Sequence, residues 1–131
     1  MSIADIRLIA AVGRRGQLGL DDELPWRDPV DLAFFRNNTT FCTVIVGRRT
    51  AEAVGTLPKR HVAIWDGKEE PAAFLAGIKQ PHWAKGSPIW IAGGARTYRA
   101  FMPLVRTCVI TRIDYDGPAD TWMPPLWEPA R

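Results

Sequence analysis

Serine, cysteine and histidine are scarce in this chain of 131 residues, at two of each. Ser2 and Ser87 lie in no G-x-S-x-G turn, so the nucleophile elbow of the serine hydrolases is absent. Cys42 and Cys108 belong to no paired motif. That argues against a disulfide scaffold and a four-ligand zinc site, and reduced thiols are expected. His61 and His82 have no histidine or acidic partner at helical spacing, so no metal is expected. No run of five basic residues occurs, and no nucleic-acid partner is expected. The opening MSIADIRLIAAVG carries an acid and an arginine, and its apolar run is too short for a signal core or a membrane span. A cytoplasmic protein without a membrane partner is the expectation.

What is present fits one globular domain spanning 1–131: 47% hydrophobic residues is too many for disorder, and the length suits a single core. Thirteen of the 17 basic residues are arginine, the side chain suited to bidentate contact with phosphate and carboxylate. A GC-rich genome accounts for that ratio equally well.

Along the chain, Ile6 to Val12 is a nearly continuous apolar run of strand length, the mark of a strand covered on both faces. The following GRRGQLGLDDELPW has three glycines, clustered acids and no period, and reads as a long functional loop. Asp28-Pro29 then starts a helix, Asp28 as N-cap and Pro29 in the first turn, with Leu32, Phe34 and Phe35 as its apolar face. Further strands are expected at Thr43–Val46, His61–Trp65, Ile89–Ala92 and Thr107–Ile113, with short helices after Thr50, Pro71 and Tyr98. Residues 122–131 are rich in Pro and Trp without a period and read as a surface tail. Alternating strands and helices predict an α/β fold: three layers around a mainly parallel, twisted sheet of about six strands.

Two junctions share one design. VIVGRRT and WIAGGARTY each run from a buried strand through glycine into a helix bearing arginine, which suits a pyrophosphate. Steric need alone also explains strand-glycine-helix junctions, and neither is a Rossmann or Walker motif. Asp31 has Phe34 and Phe35 three and four residues on, an apolar wall that would raise its pKa. Its place in the first helical turn explains an acid just as simply.

LIAAVG, a loop ending LPW, PVDLAFFRNNT, VIVGRRT, LPKR, IWIAGGARTY, FMP and TRID with DGPADTWMP, in this order from about Ile6 to Pro124, resemble the dihydrofolate reductases. The resemblance implies hydride transfer from NADPH to 7,8-dihydrofolate, giving tetrahydrofolate, without a metal. Antifolates such as methotrexate or trimethoprim would be ligands. It implies that Asp31 pairs with the pterin amino and N3 groups and promotes protonation at N5. Trp26 and Thr111 would hold water and carboxylate, and Leu24 would lie in the loop that closes over the nicotinamide. Ile9, Ala10, Ala11, Leu32, Phe35, Val54, Leu57, Ala92 and Tyr98 would line the pocket, and Arg60 would take the α-carboxylate of the glutamate tail. The cofactor would lie against Ala11, Gly19, Leu20, Gly47, Arg48, Arg49, Thr50, Trp65, Asp66, Gly93, Gly94, Ala95, Arg96 and Thr97, with a cis bond between Gly93 and Gly94.

Three departures accompany the resemblance. Asp66 stands where a serine often receives the 2′-phosphate, so NADH is not excluded and NADPH preference rests on Arg48, Arg49 and Arg96. Ala92 replaces a bulkier aliphatic residue. The sequence stops at Arg131, where ordinary members continue into a C-terminal hairpin beside Thr107–Ile113. That strand is therefore expected at an edge, covered by the tail from Trp122 to Trp127 or paired with a second copy, giving a monomer or an edge-mediated homodimer. The alternatives are a pyrimidine reductase domain of the riboflavin-biosynthesis type, and a non-catalytic folate-binding, nucleotide-binding or structural homologue.

Overall fold

Strand β1 (Ile6–Val12) and strands β3 (Thr43–Gly47), β4 (His61–Trp65), β5 (Ile89–Ile91) and β6 (Thr107–Arg112) form one sheet in a computed structural model that describes residues 5–19, 26 and 28–124. The order is β4-β3-β5-β1-β6, and every pairing is parallel. β1, the longest apolar run, lies inside the sheet, as its two-sided burial requires.

Alternation along the strands separates two cores. Ile6, Leu8, Ala10 and Val12 point to one face, where Trp65, Phe101 and Phe74 join them. Ile9, Val44, Val46 and Trp90 point to the other, with Phe35 and Ala51. The helices divide accordingly. α1 (Pro29–Thr39) and α2 (Arg48–Val54) supply the second core, while α3 (Pro71–Gly77) and α4 (Ala95–Phe101) supply the first. The result is the three-layer α/β arrangement expected.

α1 begins where Asp-Pro indicates. The Asp28 carboxylate accepts from the backbone N–H of Val30 at 3.0 Å and of Asp31 at 3.2 Å, and Pro29 occupies the first turn.

Two details depart from expectation. The main sheet has five strands where about six were expected, and a separate antiparallel ribbon joins β2 (Gln17–Gly19) to β7 (Thr121–Trp122). β2 falls in the stretch read as pure loop, and β7 takes in Trp122, the first residue of the expected surface tail. Elements of two or three residues carry no hydrophobic period, and this pair is held by contacts across about a hundred residues of sequence. The N–H of Met123 donates to the Gly16 carbonyl at 2.8 Å, so the described start of the tail turns toward β2. β6 pairs with β1 alone among the described residues, an edge as expected; residues 125–131 of the tail lie outside them.

Candidate active site

Parallel strands bring their C-terminal ends to one rim, where α/β proteins bind ligands. Two of those ends meet here: the Gly47 N–H donates to the Gly93 carbonyl at 2.9 Å, and the Ala92 N–H to Ile45 at 2.9 Å. Gly47 and Gly94 are the N-caps of α2 and α4, and neither helix has a side-chain cap. Sterics dictate the glycines. A Cβ at Gly47 would lie 2.8 Å from Thr97 Oγ1, and one at Gly94 would lie 3.3 Å from Thr50 Oγ1. Gly93 has φ +131°, and its peptide bond to Gly94 is cis, as the resemblance implied. Thr97 is buried and Thr50 half-buried, so both threonines are enclosed between the two junctions.

The end of β4 joins the same rim. The Arg96 guanidinium donates to the Gly67 carbonyl at 2.9 Å. The Asp66 carboxylate accepts from the N–H of Lys68 at 2.8 Å and of Glu69 at 2.9 Å, and the Glu69 and Lys68 amides hold its pKa below the usual carboxylate range. Asp66 therefore stays an anion. Arg48 and Arg49 are exposed on α2 and Ala95 is half-buried on α4. The Trp65 indole is buried against Phe101 and donates to the Glu69 carbonyl, so any ligand contact at that position falls to its backbone.

On the α1 side, Asp31 and Thr111 come together across 80 residues of sequence. β6 pairs Thr111 with Ala11 and places its hydroxyl beside the Asp31 carboxyl. Burial raises the Asp31 pKa above its ordinary value, the Thr111 hydroxyl opposes the rise, and the nearby Asp28 adds to it. Beneath lies Tyr98, whose hydroxyl donates to the Ile9 carbonyl at 2.8 Å. Burial and the Asp31 charge push that phenol far above its usual range, so it stays protonated.

Phe35 packs into the α1-side core, whereas Phe34 is 40% exposed and provides no enclosed wall for Asp31. Helical geometry decides this: positions 31, 35 and 39 share the inner face, and Thr39 is fully buried. Leu32 and Val54 are 50% and 44% exposed, and Leu57 is half-buried. Ile9 and Ala10 are buried on opposite faces of β1, so only the Ile9 face, shared by Ala11 and Ala92, looks toward α1. Arg60 is anchored at the far end of that helix. It donates to the carbonyl of Pro58 at 3.1 Å and to Thr39 Oγ1 at 3.3 Å, and lies 5.8 Å from the Phe35 ring centroid. Asp31 and Thr39 are eight residues apart, about 12 Å along the helix. One apolar face thus connects a carboxylate to a fixed cation.

The Trp26 indole packs against Tyr115, with ring centroids 5.4 Å apart, and its Nε1 is buried without a hydrogen-bond partner among the described residues. Gly19 closes β2, and its carbonyl accepts from Asp120 N–H at 2.9 Å. Leu20 and Leu24 lie outside the described residues. Among the described residues no three His, Cys, Asp or Glu side chains gather as metal ligands. Two surface hollows, about 390 Å³ beside β4 and α3 and about 320 Å³ beside β6, do not include Asp31.

Sequence reasoning did not identify Gln17 or Tyr115. Gln17 is fully buried, its Nε2 donates to the Gly117 carbonyl at 3.2 Å, and its Oε1 accepts from Arg15 N–H at 2.8 Å. A glutamine inside a glycine-rich stretch carries no local mark of burial, and only the pairing with residues 116–117 reveals it.

Comparison with known proteins follows the same outline. A family model described as dihydrofolate reductase matches residues 5–130. A dihydromethanopterin reductase of Methylorubrum extorquens is 31% identical over 131 residues, covering 94% of this chain and 93% of the relative. A dihydrofolate reductase of Haemophilus influenzae is 32% identical over 92% of this chain and 80% of its own length. One from Enterococcus faecium is 33% identical over 86% and 74% respectively.

Proposed function

The chain belongs to the dihydrofolate reductase family, and we propose that it reduces the C=N bond of a dihydropterin, dihydrofolate first, with a reduced nicotinamide dinucleotide. The observation that carries this reading is Asp31 with Thr111 beside it: a carboxyl made more basic by burial, next to a hydroxyl. A carboxylate can accept two parallel N–H bonds, which matches the amino and N3 groups of a pterin ring. Its raised pKa favours delivery of a proton to the ring, at N5.

The C-terminal rim fits a dinucleotide by its own geometry. Gly47 and Gly94 stand where a Cβ would crowd the two threonines, and the amides that open α2 and α4 have no side-chain cap. When bound, the reduced nicotinamide supplies the hydride. Gly47 to Thr50 and Gly93 to Thr97 would hold its phosphates, with Arg48, Arg49 and Arg96 supplying charge for NADPH. Asp66, an anion at the same rim, leaves NADH admissible. Arg60, which donates to Thr39 about 12 Å along α1 from Asp31, supports a substrate with a carboxylate at the far end of its tail. Leu32, Phe35, Val54 and Leu57 offer the apolar surface between.

A second substrate, dihydromethanopterin, is supported by the similarity to the Methylorubrum extorquens reductase. The deciding experiment mixes the full chain with either dihydropterin and with NADPH or NADH, and follows loss of reduced-nicotinamide absorbance. Turnover of dihydrofolate supports the first substrate, and turnover of dihydromethanopterin alone replaces it. A chain that turns over neither, and whose melting temperature neither dinucleotide nor methotrexate nor trimethoprim raises, is a non-catalytic homologue. We assign the protein to the cytoplasm, as a monomer or a homodimer paired at β6.

A further inference from the structure

Two residues ahead of and within the start of α1 lie against the stretch that ends β6 and follows it: Asp31 has Thr111 beside it, and Trp26 meets Tyr115. The second contact is built with unusual care. The Tyr115 ring lies over Gly117, where a Cβ would come within 2.7 Å of Oη and 2.8 Å of Cζ. Its hydroxyl donates to the Pro118 carbonyl at 2.6 Å, its N–H to Ile113 at 2.8 Å, and its carbonyl accepts from Arg14 N–H at 2.8 Å. Around it, Arg14 pairs with Asp114 and Arg15 with Asp116, and buried Gln17 ties the β1–β2 turn to Gly117. A tyrosine held at four points packs, with its ring tilted by 52°, against an indole whose buried N–H makes no bond among the described residues.

We propose that Tyr115 is a positioning residue, which fixes the plane of the Trp26 indole so that its N–H serves as a donor in the cleft beside Asp31. The inference rests on the dihydropterin reductase reading, but the indole geometry can be tested apart from it. The fixed ring would also limit the access of water to the Asp31 carboxyl. Among the described residues, the charged or titratable groups around Asp31 are Asp28 on its own segment and Tyr98 from α4, with the Thr111 hydroxyl from β6. None of these is altered by a change at Tyr115.

The test uses the full chain with Tyr115→Phe, Tyr115→Leu and Gly117→Ala. Nuclear magnetic resonance follows the Trp26 indole N–H, assigned by its loss in Trp26→Phe, and steady-state kinetics follow kcat and KM across pH. Tyr115→Phe keeps the ring and stays within about twofold of wild type in kcat. Tyr115→Leu lowers kcat about tenfold through lost orientation, leaves KM for the dinucleotide within about twofold, and moves the pH midpoint down toward that of an ordinary carboxylate. Exchange of the Trp26 N–H with solvent accelerates in the same variant. Gly117→Ala, which keeps the tyrosine and displaces its ring, gives the same pattern and replaces Tyr115→Leu should that variant not fold. Unchanged N–H exchange and an unchanged pH midpoint in a folded Leu or Ala variant would overturn the proposal. If wild type reduces neither dihydropterin, the functional reading fails, while N–H exchange alone still decides whether Tyr115 fixes Trp26.

Discussion

The two sides of the candidate cleft are made of different materials. The rim between α2 and α4 is backbone: three glycines, amides without side-chain caps, and one N–H bonded to one carbonyl at 2.9 Å. The wall at α1 and β6 is side chain: Asp31 beside Thr111 and, at its margin, Trp26 on Tyr115. A backbone surface can be lost only by adding atoms, whereas a side-chain surface is lost by removing them. Substitutions should therefore separate dinucleotide affinity from proton chemistry.

The largest separation is expected of Asp31→Asn. Turnover at neutral pH should fall by about 10²–10⁴-fold, as for loss of a positioned proton donor, while dinucleotide affinity measured by calorimetry stays at the wild-type value. Loss of both together would merge the two sides into one. Next, Gly47→Ala forces a methyl against Thr97 Oγ1. Dinucleotide affinity should weaken roughly tenfold, the equivalent of ~1.4 kcal/mol of overpacking, with the pH midpoint of turnover unmoved. A shifted midpoint would show that the rim reaches Asp31.

A smaller effect is expected from Thr111→Val. The Thr111 hydroxyl opposes the rise in the Asp31 pKa, so its removal should move the pH midpoint of turnover upward. A downward movement would mean that the hydroxyl shields Asp31 from water more than it stabilises the anion.

Stability shows the smallest effect, and its sign follows from linkage. The folded-state pKa of Asp31 lies above its unfolded value, so the site favours the proton. The favourable contribution is complete below the unfolded pKa and is lost as pH rises through the folded one. Asp31→Asn should therefore melt higher than wild type by a margin that grows between pH 4 and pH 7. A margin that shrinks over that range would place the carboxyl in a site that favours its charge.

The same division explains what was legible in the sequence. Glycine between an apolar strand and a helix has few local alternatives, so Gly47, Gly93 and Gly94 marked the rim. Asp28-Pro29 marked the start of α1 because the capping chemistry lies within four residues. On the side-chain wall each pair joins distant segments. Asp31 could be singled out by its neighbours and by resemblance, but Phe34 was expected to enclose it and instead faces solvent. Tyr115, Gln17 and the β2–β7 ribbon had no local signature, because their burial depends on one loop meeting another across about a hundred residues.

The strand order carries a consequence for how the protein is made. β1 lies between β5 and β6, so its pairing residues are 89–91 and 107–112. At ribosomal speeds of ~5–20 residues per second, roughly 5–20 seconds separate the synthesis of β1 from that of its last neighbour. Once residue 65 is made β3 and β4 can pair, while the most apolar strand has no neighbour until β5 follows at residues 89–91. β1, made before the other four strands of its sheet, is the last of them to be enclosed on both edges, and Ile6 to Val12 wait for residues 89–112 to be covered.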